Sequence, residues 1–265
     1  MYSIKMKNKF NTTYWNKATR KGHYLDDIYG KYKGEDIKQL IEKWVPDIDK
    51  KRILKTDCFE EAYGHDQILF NIAKENGEVY GIDISNEVIE KAKERQKEFK
   101  TKKRTFICCD TKKLSFEDNF FDVIISNSSH DHFPKKELPA AIRELKRVLK
   151  KNGVLILTMH NKHNQIFYFA CQFGKLTGLI PYYTTFFTKK ETKKLVGEEG
   201  FKVEYITTYF HAINQSHKIV KFLRKIKSKK IDRSIKNSVK LFKKIGKTKM
   251  NHYLGWFIAL KCIKK

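Results

Sequence analysis

The sequence predicts an α/β fold: a Rossmann-like, doubly wound, mostly parallel seven-stranded sheet whose last strand runs antiparallel. Three observations predict it. From residue 52 onward short apolar strands alternate with segments of helical periodicity, each of those segments carries one apolar stripe, and no Gly/Ser linker or internal repeat divides the 265 residues. An apolar fraction of 40% with 13% aromatics suits a globular chain of this length.

Residues 1–49 read as an N-terminal helical cap and residues 50–265 as the main domain. In the cap, an irregular aromatic segment containing Tyr14 and Trp15 precedes the stripe Ile37, Leu40, Ile41 and Trp44, which Pro46 terminates. The first five strands are expected at Arg52–Lys55, Glu78–Ile82, Thr105–Cys108, Asp122–Ile125 and Val154–Met159. Between them, Val88, Ile89, Ala92 and Phe99 make one helical stripe, and Leu138, Ala141, Ile142, Leu145, Val148 and Leu149 make another. The second helix is expected to run out through Lys146, Arg147, Lys150 and Lys151 to a glycine stop at Gly153, cations suiting the negative end of its dipole. Thr188 and Glu191 have capping-box spacing for a helix reaching Gly197 and Gly200, and Lys202–Thr208 and Trp256–Cys262 are the last two strands.

The net charge is +26, and half of it lies between His217 and Met250, where 14 Lys or Arg face one acid, Asp232. Such a segment attracts anions, but Lys outnumbers Arg throughout, which disfavours specific nucleic-acid readout. Within this Lys-rich helical insert (217–250), Ile219, Phe222, Leu223 and Ile226, then Val239, Leu241, Phe242 and Ile245, recur at helical spacing. Two readings follow: a basic amphipathic helix on an anionic membrane surface, or a stripe that packs on the sheet with its lysines solvated. Five scattered cysteines point to a reducing compartment. The start lacks an apolar signal region, and the stretch Ile166 to Phe187 is broken by Gln172, Lys175 and Pro181. The expectation is therefore a cytoplasmic protein without a spanning helix, peripheral at most to a membrane.

Chemistry concentrates at the strand ends. Gly81-Ile82-Asp83-Ile84-Ser85 closes the second strand, and an acid there either accepts from both ribose hydroxyls of a nucleotide or caps the next helix. The stretch Cys109-Asp110-Thr111-Lys112-Lys113-Leu114-Ser115-Phe116-Glu117-Asp118-Asn119-Phe120-Phe121-Asp122-Val123-Ile124-Ile125-Ser126-Asn127, followed by Arg143-Glu144-Leu145-Lys146-Arg147-Val148-Leu149-Lys150-Lys151-Asn152-Gly153-Val154-Leu155-Ile156-Leu157, resembles the class I S-adenosylmethionine-dependent methyltransferases. The likeness is strongest to their small-molecule branch, which includes quinone C-methyltransferases. It covers about residues 50–210, with the final strand fitting the family's antiparallel end.

The resemblance implies S-adenosylmethionine as cofactor. It implies that Asp83, with Ile84 beside it, holds the ribose hydroxyls, that Asp110 reaches the adenine amino group, and that Thr111 lies beside the ring. Ser126 and Asn127 would face the methionine moiety and the reacting methyl. The first loop departs from the family's pattern of an acid followed by a glycine-rich turn. In Ile53-Leu54-Lys55-Thr56-Asp57-Cys58-Phe59-Glu60-Glu61-Ala62-Tyr63-Gly64 only Gly64 remains, leaving Thr56 and Asp57 to supply side-chain contacts and Asp57 or Glu60 to attract the cofactor's amino group. A decayed pocket on a non-catalytic scaffold is the alternative.

His130, Asp131 and His132 follow the fourth strand, and His160 and His163 the fifth. His132 and His160 are the candidates for a general base. These histidines with Cys109 lack CxxC or HExxH spacing, so no metal is expected, and neither a phosphate loop nor a GxSxG turn occurs. Residues 164–187 form a lid-like aromatic insert that, with Tyr14, Trp15, Tyr182 and Tyr183, is expected to enclose a small, apolar or lipid-linked acceptor. The other reading of the insert is a covered sheet edge or dimer interface. An RNA or DNA methyltransferase using the Lys-rich segment is the alternative enzyme, without an Asn-Pro-Pro-Tyr-like signature to support it.

Overall fold

Strand residues of alternating orientation give the sheet two apolar faces, and each face recruits its own helices. In the computed structural model, which describes residues 25–72, 77–99, 104–178, 183–212 and 228–265 together with Phe222, Leu223 and Ile226, these strands form a single sheet. Its strands are β1 (Arg52–Thr56), β2 (Glu78–Asp83), β3 (Thr105–Cys108), β4 (Phe121–Ser126), β5 (Leu149–Asn161), β6 (Phe186–Phe187), β7 (Phe201–His211) and β8 (Gly255–Lys264). The order is β3-β2-β1-β4-β5-β8-β7, parallel throughout except for β8, which is antiparallel to both β5 and β7. This is the expected seven-stranded sheet, with the two-residue β6 added beside the end of β5, where His160 pairs with Phe186.

One face buries Ile53, Val123, Ile125 and Ile156 beneath α1 (Asp27–Trp44), the helix that follows β2, and a late basic helix. The other buries Leu54, Ile124, Leu155 and Leu157 beneath the helix that precedes β5 and the helix that precedes β7. Between β1 and β3 come the short helices α2 (Phe59–Tyr63) and α3 (Ile68–Asn71) and then α4 (Asn86–Gln96), whose cap Ser85 accepts from Val88 N. The remaining helices are α5 (Leu138–Val148), α6 (Gln165–Leu176), α7 (Lys189–Glu198), α8 (Lys229–Ile245) and α9 (Asn251–Leu254). The capping box at α7 forms in full, with Glu191 N donating to Thr188 Oγ1 and Thr188 N to the Glu191 carboxylate.

The helix before β5 is shorter than its stripe suggests. It stops at Val148; Leu149 takes an extended ψ of 136° and pairs with Phe121, so Lys150 and Lys151 belong to the strand rather than to a helix end. Asn152, in the left-handed region at φ 61°, turns the chain back into the ladder at Val154.

Two features bring α1 to the carboxyl ends of the strands. Asp26 caps it by accepting from Ile28 N at 2.8 Å. Gly34 lets it lie against the loop after α2, since a Cβ there would stand 2.4 Å from the Asp66 Cα. In α8, Ile235 and Phe242 are buried and Ile231, Val239 and Ile245 pack against the same core, leaving the helix's lysines outward. Within α8 the apolar stripe is therefore mostly core, although Leu241 is exposed; of the earlier residues at helical spacing, Phe222 and Ile226 are exposed, Leu223 is half-buried and Ile219 lies outside the described residues.

Candidate functional site

Position 55 lies in a strand covered on both sides, where an unpaired ammonium would be prohibitive. Lys55 nevertheless stands there, 2.8 Å from the Glu61 carboxylate and with its ammonium also donating to the Asp57 carbonyl. Burial works against its charge, but Glu61 and Asp57 outweigh burial and hold its pKa above the ordinary lysine value. Glu61 also accepts from Leu69 N at 3.1 Å, so a residue in the stretch where the family's glycines would fall is a buried anchor for the loop. Asp57 adopts φ 72°, the left-handed conformation that glycine takes most readily, and accepts from Phe59 N at 2.8 Å. The loop keeps a sharp turn without the glycines.

Around this pair the charge is unbalanced. Lys33 of α1 reaches Glu60 at 2.6 Å and Asp66 at 3.4 Å. Two ammonium groups, Lys33 and Lys55, thus face five carboxylates, Asp57, Glu60, Glu61, Asp66 and Asp83, linked through their mutual electrostatic contacts. Burial pushes the Asp66 carboxyl up to about 8, with Glu60 adding and Lys33 opposing. Burial also pushes Asp83 up to about 7, with Asp57 adding.

A carboxyl whose folded pKa lies above its unfolded value binds more protons folded than unfolded between the two values. The stability that Asp66 and Asp83 contribute is therefore complete below about pH 4, the ordinary aspartate range, and is lost as pH rises through about 7 and 8. Thermal melts between pH 5 and pH 9 should show the midpoint falling with pH, with a shallower fall for Asp66→Asn. An unchanged slope in that variant would remove Asp66 from the account.

Asp83 sits at the end of β2 as expected and is already tied to backbone, accepting from Cys58 N and from Ser85 N at 2.9 Å each. It thereby joins the first loop to the cap of α4. Ile84 follows it, its carbonyl facing the Cys108 thiol at 3.6 Å. Asp110 is partly exposed beyond β3 and accepts from Lys112 N at 2.9 Å. Thr56 and Thr111 are buried, and their hydroxyl oxygens, like that of Ser128, have no hydrogen-bond partner among the described residues.

At the end of β4, Ser126 Oγ lies 2.6 Å from His130 Nδ1. Burial lowers the His130 pKa to about 4, which keeps that ring neutral. The Asn127 side-chain oxygen accepts from Tyr209 at 2.6 Å and from Thr158 at 3.1 Å. His160, at the end of β5, places Nδ1 2.7 Å from the carboxylate of the fully buried Asp131. Its ring stacks between Phe186 and Phe257 and meets Phe167 edge-on, with centroids 5.0 to 5.2 Å away. Burial lowers the His160 pKa although Asp131 opposes it, so the imidazole is neutral near pH 7. Burial alone would raise Asp131, but His160 and His132 pull its carboxyl below the ordinary range.

His132 is 6.1 Å from His160, centroid to centroid, and donates through Nδ1 to the Tyr183 carbonyl at 2.9 Å. The Thr185 N–H donates to the Asp131 carbonyl at 2.7 Å, which fastens the chain after α6 to the histidine loop. Tyr14, Trp15 and Tyr182 lie outside the described residues. Among the described residues no His, Cys, Asp and Glu group has metal-binding geometry.

The structure thus brings together Thr56, Asp57, Asp83, Ser126, Asn127, His132 and His160 at one edge of the sheet, while Asp110 and Thr111 stand beside β3. Sequence reasoning did not single out Lys33, Lys55, Glu61, Asp66, Thr158 or Tyr209, nor the pairing of Asp131 with His160. One signal was available: a lysine within the strand Arg52–Thr56 demands a buried acid.

Residues 63–200, just over half of the chain, match the family model described as a methyltransferase domain. A 2-phytyl-1,4-naphtoquinone methyltransferase of Trichormus variabilis is 30% identical over 115 residues, 42% of this chain and 49% of that protein. The chain therefore spans about half the length of this curated relative. Among solved structures, magnesium protoporphyrin IX methyltransferase from Synechocystis PCC 6803, with bound SAH, superposes with a TM-score of 0.58 at 16% identity over 99% of each chain. A putative sarcosine dimethylglycine methyltransferase from Galdieria sulphuraria gives 0.60 at 14% identity, over 86% of this chain and 85% of that one. At these identities the superpositions speak to the fold.

Proposed function

The chain belongs to the methyltransferase-domain family, and from that premise we propose that it methylates a small, largely apolar acceptor with S-adenosylmethionine, using His160 as the base. The cofactor reading is supported by the composition of the site. An excess of carboxylates at the first loop suits a ligand with sulfonium and ammonium charges, and the unpartnered hydroxyls of Thr56 and Thr111 offer polar contacts to a nucleoside. Asp83 would hold the ribose, Asp110 and Thr111 the adenine, and Asp57 with Glu60 the amino group. When bound, the cofactor supplies an electrophilic methyl group.

The observation that carries the acceptor reading is the buried Asp131–His160 pair in a wall of Phe167, Phe186 and Phe257. The Asp131 carboxylate 2.7 Å from Nδ1 favours the tautomer with its proton on Nδ1, leaving Nε2 to accept a proton from an acceptor hydroxyl or an acidic C–H. The aromatic wall excludes water and favours an apolar ring system. Homology to a protein named for a phytylated naphthoquinone favours the same class. The scaffold alternative rested on the missing glycines; the left-handed Asp57 and the intact Lys55–Glu61 pair argue for a built loop rather than a decayed one.

The test is transfer of label from methyl-labelled cofactor to a demethylated prenyl naphthoquinol, followed in the organic extract. Absence of label there, with label appearing in RNA or protein, would overturn the acceptor reading. Calorimetric titration of S-adenosylhomocysteine addresses the cofactor separately. Asp83→Ala should lose about 1.5–3 kcal/mol of binding, as for hydrogen bonds to a charged group. Equal affinity in wild type and variant would take Asp83 out of the site.

A further inference from the structure

The inner side of α6 closes the aromatic wall through Phe167 and Cys171, both buried. Its outer side is different. Ile166, Phe169, Phe173 and Leu176 are 54%, 63%, 64% and 81% exposed. Their spacing of three, four and three residues sets them in one stripe along the helix. Beside it, Met250 and Tyr253 are about half exposed, and α9 is fastened to the start of α6. Asn164 donates to the Leu254 carbonyl at 3.1 Å, Asn161 donates to the His252 carbonyl at 2.9 Å, and the His163 and His252 rings lie 4.2 Å apart. Exposed apolar surface on this scale marks an interaction site.

Charge identifies the occupant. The exposed Lys162 precedes α6, and the exposed Lys247 and Lys249 lead directly into α9. Upstream, Lys229, Lys230, Arg233, Lys236, Lys240 and Lys244 of α8 are exposed, Lys243 is paired with Glu35 of α1, and Asp232 is the single acid of that helix. A second copy would carry the same net charge of +26 and present the same lysines, which opposes self-association. An anionic bilayer offers the reverse: negative headgroups for the lysines and acyl chains for the phenylalanines.

We propose that α6 and α9 form a docking face for an anionic membrane surface, with the α6 stripe inserted at the headgroup boundary and the surrounding lysines on the lipid phosphates. This contact differs from adsorption through the apolar stripe of α8, most of which is core. It rests on the exposed stripe and the charge, not on the identity of the acceptor.

The experiment is co-sedimentation of the full chain with vesicles of phosphatidylcholine containing phosphatidylserine, with pure phosphatidylcholine vesicles as control. The wild type should pellet with the anionic vesicles and be released by high salt. Phe169→Ser with Phe173→Ser should weaken the partition by about tenfold or more, with the thermal midpoint retained because both side chains are exposed. Three results would overturn the proposal: no binding by wild type, binding by the double variant equal to wild type, or a dimer in solution that the double variant abolishes. Competition by RNA that strips the protein from vesicles regardless of the two phenylalanines would assign the lysines to nucleic acid instead.

Discussion

Replacing His160 with Gln is expected to lower kcat for methyl transfer by roughly 10²–10⁴-fold, the usual contribution of a positioned general base. Affinity for S-adenosylhomocysteine should stay intact, since the ring faces Asp131 and the aromatic wall rather than the loop that holds Asp83. The pH profile separates a base from a packing residue. Because burial lowers the His160 pKa, the acid limb of kcat should fall below the ordinary histidine range. Asp131→Asn removes the charge that raises it, so the limb should move further to acid while kcat drops. A variant that is folded and binds cofactor, yet turns over like wild type with an unshifted limb, would exclude His160 as the base. Initial rates on the naphthoquinol probe between pH 4 and pH 9 provide the measurement.

Lys55→Met should be among the most destabilising single substitutions in the chain. It leaves the Glu61 carboxylate buried without its cation, a loss of about 3–5 kcal/mol for one partner of a buried pair. Neither side chain is more than 1% exposed, so solvent screening offers no relief. At about 2–3 °C per kcal/mol for a domain of this size, the midpoint should fall by roughly 6–15 °C. Lys55→Met combined with Glu61→Gln removes both charges while keeping an oxygen to accept from Leu69 N, and should recover much of the loss. Additive effects in the double variant would mean that the two residues act independently. Denaturant melts of the four proteins complete the cycle.

The fold was legible because its signals are local. Thr105–Cys108 is a strand with the bounds its composition implies, and Thr188 and Glu191 form the capping box that their spacing implies. The end of the helix before β5 was not legible, because Leu149 fits a helical stripe and a strand equally well and only pairing with Phe121 decides. The site divides in the same way. Asp83, Asn127 and His160 were visible as polar residues at the ends of apolar runs. That Asp131 turns to His160, and Lys55 to Glu61, depends on side-chain direction across the sheet, which periodicity does not encode. In α8 the amphipathic pattern was plain, but which side meets the core was settled by its packing against α1 and β7.

The position of β8 has a kinetic consequence. The strand that fills the gap between β5 and β7 follows all the other described strands in chain order, and it pairs Val154 with Ile263 and Phe201 with Lys264. Until it leaves the ribosome, β5 has an open edge and β7 has no neighbour among the described strands. Such distant pairings slow folding, and unpaired apolar edges are prone to aggregation. The His160 wall is completed by Phe257 of the same strand. Closure of the sheet and completion of the aromatic wall around His160 therefore depend on the same strand.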